Sequence, residues 1–290
     1  MTLSPRPALY LDAQHGLANR LRALVSGAVI AQATGRDLVV IWCPDDHCGA
    51  PLGALIDYPG PVIDDPVSAA GLRARAARVY DYLEIAPGAL YHEPVLAPGD
   101  DPGGDVYIRS ADSLMGPHRS MPAEQRILRA LRPAAPVRAL IARAPARFAV
   151  AAHVRMATGP GFDHMPAEAP GNWPAHRHAE LSRWRAHSQA DRFAARLDAL
   201  IAQGAADTIF LAADLAQTYA AFADRYGARL TVLARTDYDR SASQLQYALA
   251  DMMLLARADR LLASTWSSFS DVAQRLARPG RPVEQSGRDF

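Results

Sequence analysis

Apolar residues in this chain come either in short unbroken runs or in longer stretches where they recur every three or four positions. An unbroken run leaves no polar face, which suits a strand covered on both sides in a parallel sheet, whereas the longer spacing suits a helix with one buried side. "PALYLDA" therefore reads as a strand, residues 19–35 as a helix carrying Leu21, Leu24, Val25, Ala28 and Val29, and "RDLVVIW" as a second strand. Pro and Gly then dominate a weakly periodic region from Cys43 to about Gly104, with short strands expected at "RVYDYL" and "ALYHEPVL". "GDVYIRS" is a further strand, and "MPAEQRILRALRP" and "APVRALIARAP" are helices stopped by Pro133 and Pro145.

From "ARFAVAAHVRM" onward the alternation is cleaner. Strands are expected at that segment and at "DTIFLAAD", "ARLTVLAR" and "DRLLAST". Between them lie the helices "SQADRFAARLDALIAQG", capped by Ser188 and ended by Gly204, "LAQTYAAFADRYG", "SASQLQYALADMMLLARA" and "SSFSDVAQRLA". Strands alternating with helices imply right-handed crossover units. The pattern predicts an α/β chain of two Rossmann-like domains, residues 1–140 and 141–290, with a cleft between them. The break falls where Pro, Ala and Arg dominate, between Pro133 and Arg147.

Composition narrows the function. Half of the 290 residues are hydrophobic, 21% are charged, and the net charge is +1, a balance that argues against a protein living on nucleic acid or an anionic membrane, both of which need a concentrated basic face. All 31 basic residues are Arg, which excludes a P-loop lysine, and "HGLANR" follows the first strand where a dinucleotide fold would carry Gly-x-Gly-x-x-Gly. No stretch has the apolar length of a membrane span or the core of a signal peptide, so a cytoplasmic location is expected. Cys43 and Cys48 in "CPDDHC" fit a metal half-site with His47, a small disulfide or two loop thiols; four ligands for a closed zinc site are lacking, and no metal is expected.

Ligands of open α/β sheets sit beyond the carboxyl ends of the strands. Four polar clusters fall there: His15 to Arg22; His153 and Arg155 on alternate residues; Asp214; and Ser264, Thr265, Ser267 and Ser268 ahead of the last helix. Arg forks and helix N-termini both take phosphate, so the set suits a nucleotide diphosphate. Asn19, Arg20 and Arg22 crowd the start of the first helix, where cations are unfavourable unless an anion joins them. Asp251 lies among Leu249, Met252, Leu254 and Leu255 and requires a partner, a ligand or an Arg. The stretch from Ala157 to Arg185, with Trp173, Trp184, His176 and His178, reads as a loop.

"GLANRLRAL", "HVRM", "IFLAAD" and "ALADMMLLARADRLLASTWSSFSDVAQRL" together resemble, in order, the motifs of the GDP-fucose-dependent fucosyltransferases: the nodulation, core α-1,6- and protein O-fucosyltransferases. The resemblance implies a GT-B fold and inverting, metal-independent transfer of fucose from GDP-fucose to a glycan or other hydroxyl acceptor. It implies that Arg155 holds the β-phosphate, His153 and Asp251 the guanosine, and Ser267 and Ser268 phosphate. Asp214 would line the nucleotide pocket, and Asn19 and Arg20 would reach the diphosphate or sugar. Asp163, His164 and Glu168 are candidates for the general base. Met156 and Thr158 depart from the family, which carries a second Arg and an Asp there. That departure keeps a nucleotide-sugar-binding protein without turnover, or a transferase of another nucleotide sugar, as alternative readings.

Overall fold

A computed structural model describes residues 6–83, 90, 92–156 and 175–290. The chain divides into two compact units, Met1–Ala134 and Ala135–Phe290. The first unit orders its strands as β1 (Ala8–Ala13), β2 (Asp37–Ile41), β3 (Val62–Ile63), β4 (Arg78–Asp81) and β5 (Val106–Ser110). They form one parallel sheet in the spatial order β3-β2-β1-β5-β4. The helices are α1 (Leu17–Thr34), α2 (Pro66–Arg75) and α3 (Met121–Ala130). Gly27 lets α1 settle on β1, since a Cβ there would stand 2.8 Å from the Leu11 side chain. Gly35, at φ 64°, ends α1 in the left-handed conformation that glycine takes without strain.

In the second unit the strands are β6 (Phe148–Val154), β7 (Ile209–Ala213), β8 (Leu230–Thr231), β9 (Ala258–Ala263) and β10 (Val283–Gln285), all parallel, in the order β10-β9-β6-β7-β8. The helices are α4 (Ala135–Ile141), α5 (Ala175–Ala186), α6 (Ala190–Ala202), α7 (Ala216–Tyr226), α8 (Ala242–Leu255) and α9 (Ser268–Leu276). The second sheet is wound outward in two directions from β6, whereas in the first the chain runs outward from β1 to β3 on one side and, on the other, reaches the edge strand β4 before β5 enters beside β1. The strand order therefore reverses beside β1 and β5 in one unit, and beside β6 and β9 in the other. Phe193, Leu197, Ile209, Leu211 and Phe222 form the core on one face of the second sheet.

Several expectations are corrected. "ALYHEPVL" forms no strand in its described part: His92 and Leu96 take positive φ, and Val95 and Leu96 are buried as a loop that caps β4, with the Leu96 amide donating to the Tyr80 hydroxyl at 3.0 Å. "ARLTVLAR" keeps only two residues of strand, because a tight turn occupies Gly227–Arg229. Ser188 does not cap α6; Gln189 stands at that position, and the Ser188 hydroxyl closes the end of α5 by bonding the Trp184 carbonyl at 3.0 Å and Ser286 at 2.7 Å. The described part of the expected loop from Ala157 to Arg185 includes helix α5, which carries His176, His178 and Trp184. No described helix is long and apolar enough to cross a membrane.

Candidate functional site

Arg155 leaves β6 at the point where the strand order of the second sheet reverses. Its backbone amide donates to the Ser264 hydroxyl at 2.8 Å, and that hydroxyl donates to the His153 carbonyl at 2.8 Å, so the end of β9 clamps the end of β6. The Arg155 guanidinium meets Asp214 at 2.6 Å, and Asp214 also accepts the Met156 amide at 2.9 Å. Both side chains remain slightly open to solvent, at 13% and 12%. Asp214 is itself held in place: the Tyr219 hydroxyl accepts from the Ala213 amide at 2.8 Å and donates to the Ala213 carbonyl at 3.0 Å, locking the last residue of β7. The Met156 side chain is partly buried and packs on the core.

His153 is almost wholly buried. Its Nδ1 is 2.7 Å from the Ser270 hydroxyl and its ring stacks on Phe269 at 4.4 Å. Burial pushes its pKa down to about 3, so the imidazole is neutral in the working range. It ties β6 to the first turn of α9. Ser267 caps that helix through the Ser270 amide, and Ser268 opens it, half-buried. Ser264 and Thr265 are buried pins; Thr265 donates to the Ser286 carbonyl at 2.6 Å. The result is a rigid carboxyl edge that presents a cation and a helix N-terminus side by side, the pairing that binds phosphate.

Asp251 supplies a second feature. It is 2% exposed on α8, and its Oδ2 accepts from Arg235 at 2.5 Å. Its Oδ1 has no hydrogen-bond partner among the described residues, nor has the buried Oε1 of Gln244. Desolvation raises the Asp251 carboxyl to about pKa 6, although Arg235 pulls it back. Gln244, Tyr247 and Asp251 stand at i, i+3 and i+7, on one face of α8. Arg235 lies over the rings of Tyr247 (4.8 Å) and Tyr219 (5.6 Å). A pocket of about 350 Å³ is lined by Ala234, Arg235, Thr236, Gln244 and Tyr247. Tyr219 therefore touches both ends of the site, Asp214 by fixing its strand and Asp251 by supporting its Arg.

Asn19 and Arg20 belong to the first unit. Arg20 is fully buried: its guanidinium donates to the His15 carbonyl at 2.7 Å and the Cys43 carbonyl at 2.8 Å, pairs with Asp45 at 2.7 Å, and lies over Trp42. Asn19 accepts from Arg22 at 2.9 Å. The anion that the mouth of α1 demands is thus found within the unit, in Asp45 for Arg20 and Asp112 for Arg22. Cys43 and Cys48 are free thiols, so the disulfide reading is overturned, and no group of three metal-ligating side chains occurs among the described residues. Asp163, His164, Glu168, Thr158 and Trp173 lie outside the described residues.

Sequence reasoning missed Arg235, Gln244 and Tyr247. The available signal was the apolar neighbourhood of Asp251, which required an unnamed partner, and the Arg that closes "ARLTVLAR".

Two five-stranded parallel sheets, the second with a cation, an acid and a hydroxyl-rich helix start beside the ends of β6, β7 and β9, define a two-unit α/β fold. No family model and no curated protein matches the sequence. Solved structures do match. A fucosyltransferase NodZ from Bradyrhizobium aligns over 95% of this chain and 93% of its own, with a TM-score of 0.61 at 18% identity. POFUT1 in its apo form aligns over 99% of both chains at a TM-score of 0.55 and 12% identity. A mutant of Arabidopsis thaliana FUT1 in complex with GDP aligns over 96% of this chain and 72% of its own, at a TM-score of 0.57 and 16% identity. The chain has the fold of these GT-B fucosyltransferases.

Proposed function

We propose that the chain is a glycosyltransferase that moves fucose from GDP-fucose to a hydroxyl of a glycan or other acceptor, with inversion and without a metal. The observation that carries this reading is the second unit's split site, in which an edge at Arg155 and α9 suited to phosphate accompanies a pocket lined by Arg235 and Gln244, with unpaired buried acceptor oxygens on Gln244 and on Asp251, the partner of Arg235. Guanine suits those acceptors because its Watson–Crick edge offers two adjacent donors, N1–H and the 2-amino group, beside an O6 that can face a cation such as Arg235. Adenine presents an acceptor at N1, and uracil a single donor between two carbonyls. An unfilled buried carboxylate oxygen costs about 1–3 kcal/mol, which a guanine N–H would recover on binding. The likeness to NodZ, a structure of which was soaked with GDP-fucose, supports the same donor.

In the proposed reaction the acceptor oxygen attacks C1 of the sugar as the bond from C1 to the β-phosphate oxygen breaks, and GDP leaves. The hydroxyl proton passes to a base, for which Asp163 and His164 are the candidates. Arg155 and the N-terminal amides of α9 stabilise the charge that grows on the departing diphosphate; this interaction is strongest in the transition state and so speeds the reaction. His153 acts by holding α9 against β6, and Ser267 and Ser268 shape the helix start. Met156, partly buried, packs against the core where the resembled family carries a second Arg. This favours, as the second reading, a protein that binds the nucleotide sugar without turnover.

Calorimetric titration with GDP, UDP, CDP and ADP tests the assignment. Preference for GDP is expected, reduced roughly a hundredfold by Arg155→Ala through loss of the charged fork, with the preference over ADP erased by Asp251→Asn. Equal or absent binding of the four nucleotides refutes it.

A further inference from the structure

We propose that Tyr219 is a two-ended positioning residue of the nucleotide site. Its hydroxyl fixes the turn whose carboxylate presents Arg155 to the phosphate, its ring supports the Arg that faces the base, and the two tasks can be removed separately. This rests on the nucleotide reading above and adds to it a residue that acts through its neighbours.

The outer edge of β7 creates the need for it. β7 pairs with β6 along its whole length, from Ile209 to Ala213, but β8 covers only Ile209 and Phe210. Leu211 to Ala213 therefore have no strand beside them on that side among the described residues. At Ala213 the Tyr219 hydroxyl fills the gap, accepting from the amide at 2.8 Å and donating to the carbonyl at 3.0 Å. A phenol carries one donor and two acceptor lone pairs, so a single hydroxyl replaces both bonds of a neighbouring strand. Burial holds its pKa far above the ordinary range and so keeps that one hydrogen in place.

What the bond spans gives it its consequence. Between Ala213 and α7 lie Asp214 and Leu215, and Leu215, at the start of the helix, makes no side-chain cap. The hydroxyl thus closes the turn that carries Asp214, which meets the Arg155 guanidinium at 2.6 Å and the Met156 amide at 2.9 Å. Packing alone does not ask for the oxygen. Tyr219, Phe222 and Tyr226 stand at i, i+3 and i+7 of α7 in one apolar core, and a Phe at 219 would fill the space as Phe222 does. The ring serves the other end. The Arg235 guanidinium lies over it at 5.6 Å and over the Tyr247 ring at 4.8 Å, and pairs with Asp251 at 2.5 Å. Two aromatic faces and a carboxylate fix where that guanidinium stands in the pocket.

Calorimetric titrations of the wild type, Tyr219→Phe and Tyr219→Leu with GDP, GMP and ADP separate the two tasks. Tyr219→Phe keeps the ring and loses the hydroxyl. It is expected to lower the ratio of GDP to GMP affinity about tenfold, the scale of one or two neutral hydrogen bonds, and to leave the preference for GDP over ADP within about twofold. Tyr219→Leu removes hydroxyl and ring, so both ratios should fall. A tyrosine that only packs would lower the melting temperature and move neither ratio in the folded protein. An unchanged GDP to GMP ratio in Tyr219→Phe, an unchanged GDP to ADP ratio in Tyr219→Leu, or equal losses of both ratios in Tyr219→Phe would each overturn the assignment. Hydrogen exchange of the wild type asks the same question without a substitution. The Ala213 amide should be protected more by GDP than by GMP, and equal protection would count against the hydroxyl's task. Absence of any preference for GDP in the wild type would overturn the nucleotide reading and this inference with it. A wild-type preference for GDP with any of the contrary outcomes above would overturn the positioning role alone.

Discussion

Arg20 and Arg155 hold comparable addresses. Each follows the first strand of its parallel sheet, at the carboxyl end, where open α/β folds collect their ligands. Arg20 has no exposed side-chain surface and is consumed by two backbone carbonyls, Asp45 and the Trp42 ring. Arg155 retains 13% exposure and pairs with Asp214 at 2.6 Å. One guanidinium therefore fastens the turn after β1 to the turn after β2, and the other, in the proposed function, meets the nucleotide's phosphate. An Arg at the mouth of a helix signals that an anion or several oxygens are required there, and whether the chain itself supplies them decides between structure and binding.

The sharpest way to break this contrast is to delete each Arg in turn. Arg20→Ala removes two charge-assisted bonds and the Asp45 ion pair and empties a fully buried site, so a loss of about 4 kcal/mol in the unfolding free energy of the first unit is expected, with nucleotide affinity in the folded protein unchanged. Urea titration and calorimetry read the two quantities separately. If Arg20→Ala abolished GDP binding at unchanged stability, the roles assigned to the two residues would be reversed.

A second difference lies in titration. The His153 pKa sits near 3, well below the ordinary 6.5 that the unfolded chain recovers. The unfolded state then takes up the proton first, so the contribution is whole above about pH 6.5 and is lost as the pH falls toward 3. The slope is about 1.4 kcal/mol per pH unit at most. Urea midpoints at pH 7 and pH 5 should differ in the wild type, and the difference should shrink in His153→Gln, which keeps a polar group beside Ser270. An undiminished pH dependence in that variant would place the acid sensitivity elsewhere. The smallest effect concerns the cap of α9: Ser267→Ala is expected to cost about 1 kcal/mol of stability, and thermal melts would show it. No change would mean that Ser267 is not the residue that orders the start of α9.

Much of the fold was legible along the chain because its parallel strands are nearly continuous apolar runs. "LVVI" and "FAVAAHV" have no other reading, and they became β2 and β6. Helix α2 was missed because only Ala69 of "PVSAAGLRAR" is buried, leaving almost no apolar side to detect. Helix α5, "AHRHAELSRWRA", is too polar to declare itself. Strand β10 is three residues long, recognisable only by its pairing with β9. "ALYHEPVL" misled for the opposite reason: its apolar residues are buried, but in a loop.

The candidate site divides along the same line. The sequence by itself determined which strand ends would carry polar clusters, since His153, Arg155 and Asp214 lie at the ends of unmistakable buried strands and Ser267 announces a helix start. It also determined that Asp251 had to be satisfied, because a carboxylate among leucines cannot be left alone. Tertiary structure decided the pairing: that Arg235 reaches Asp251, that one carboxylate oxygen is left over, and that Arg20 finds Asp45. The physical reason is range. Strand and helix patterns are set by neighbours a few residues away, whereas the sharing of a cation's few donors among acceptors far apart in the chain is settled only when the sheets have folded and water has been removed.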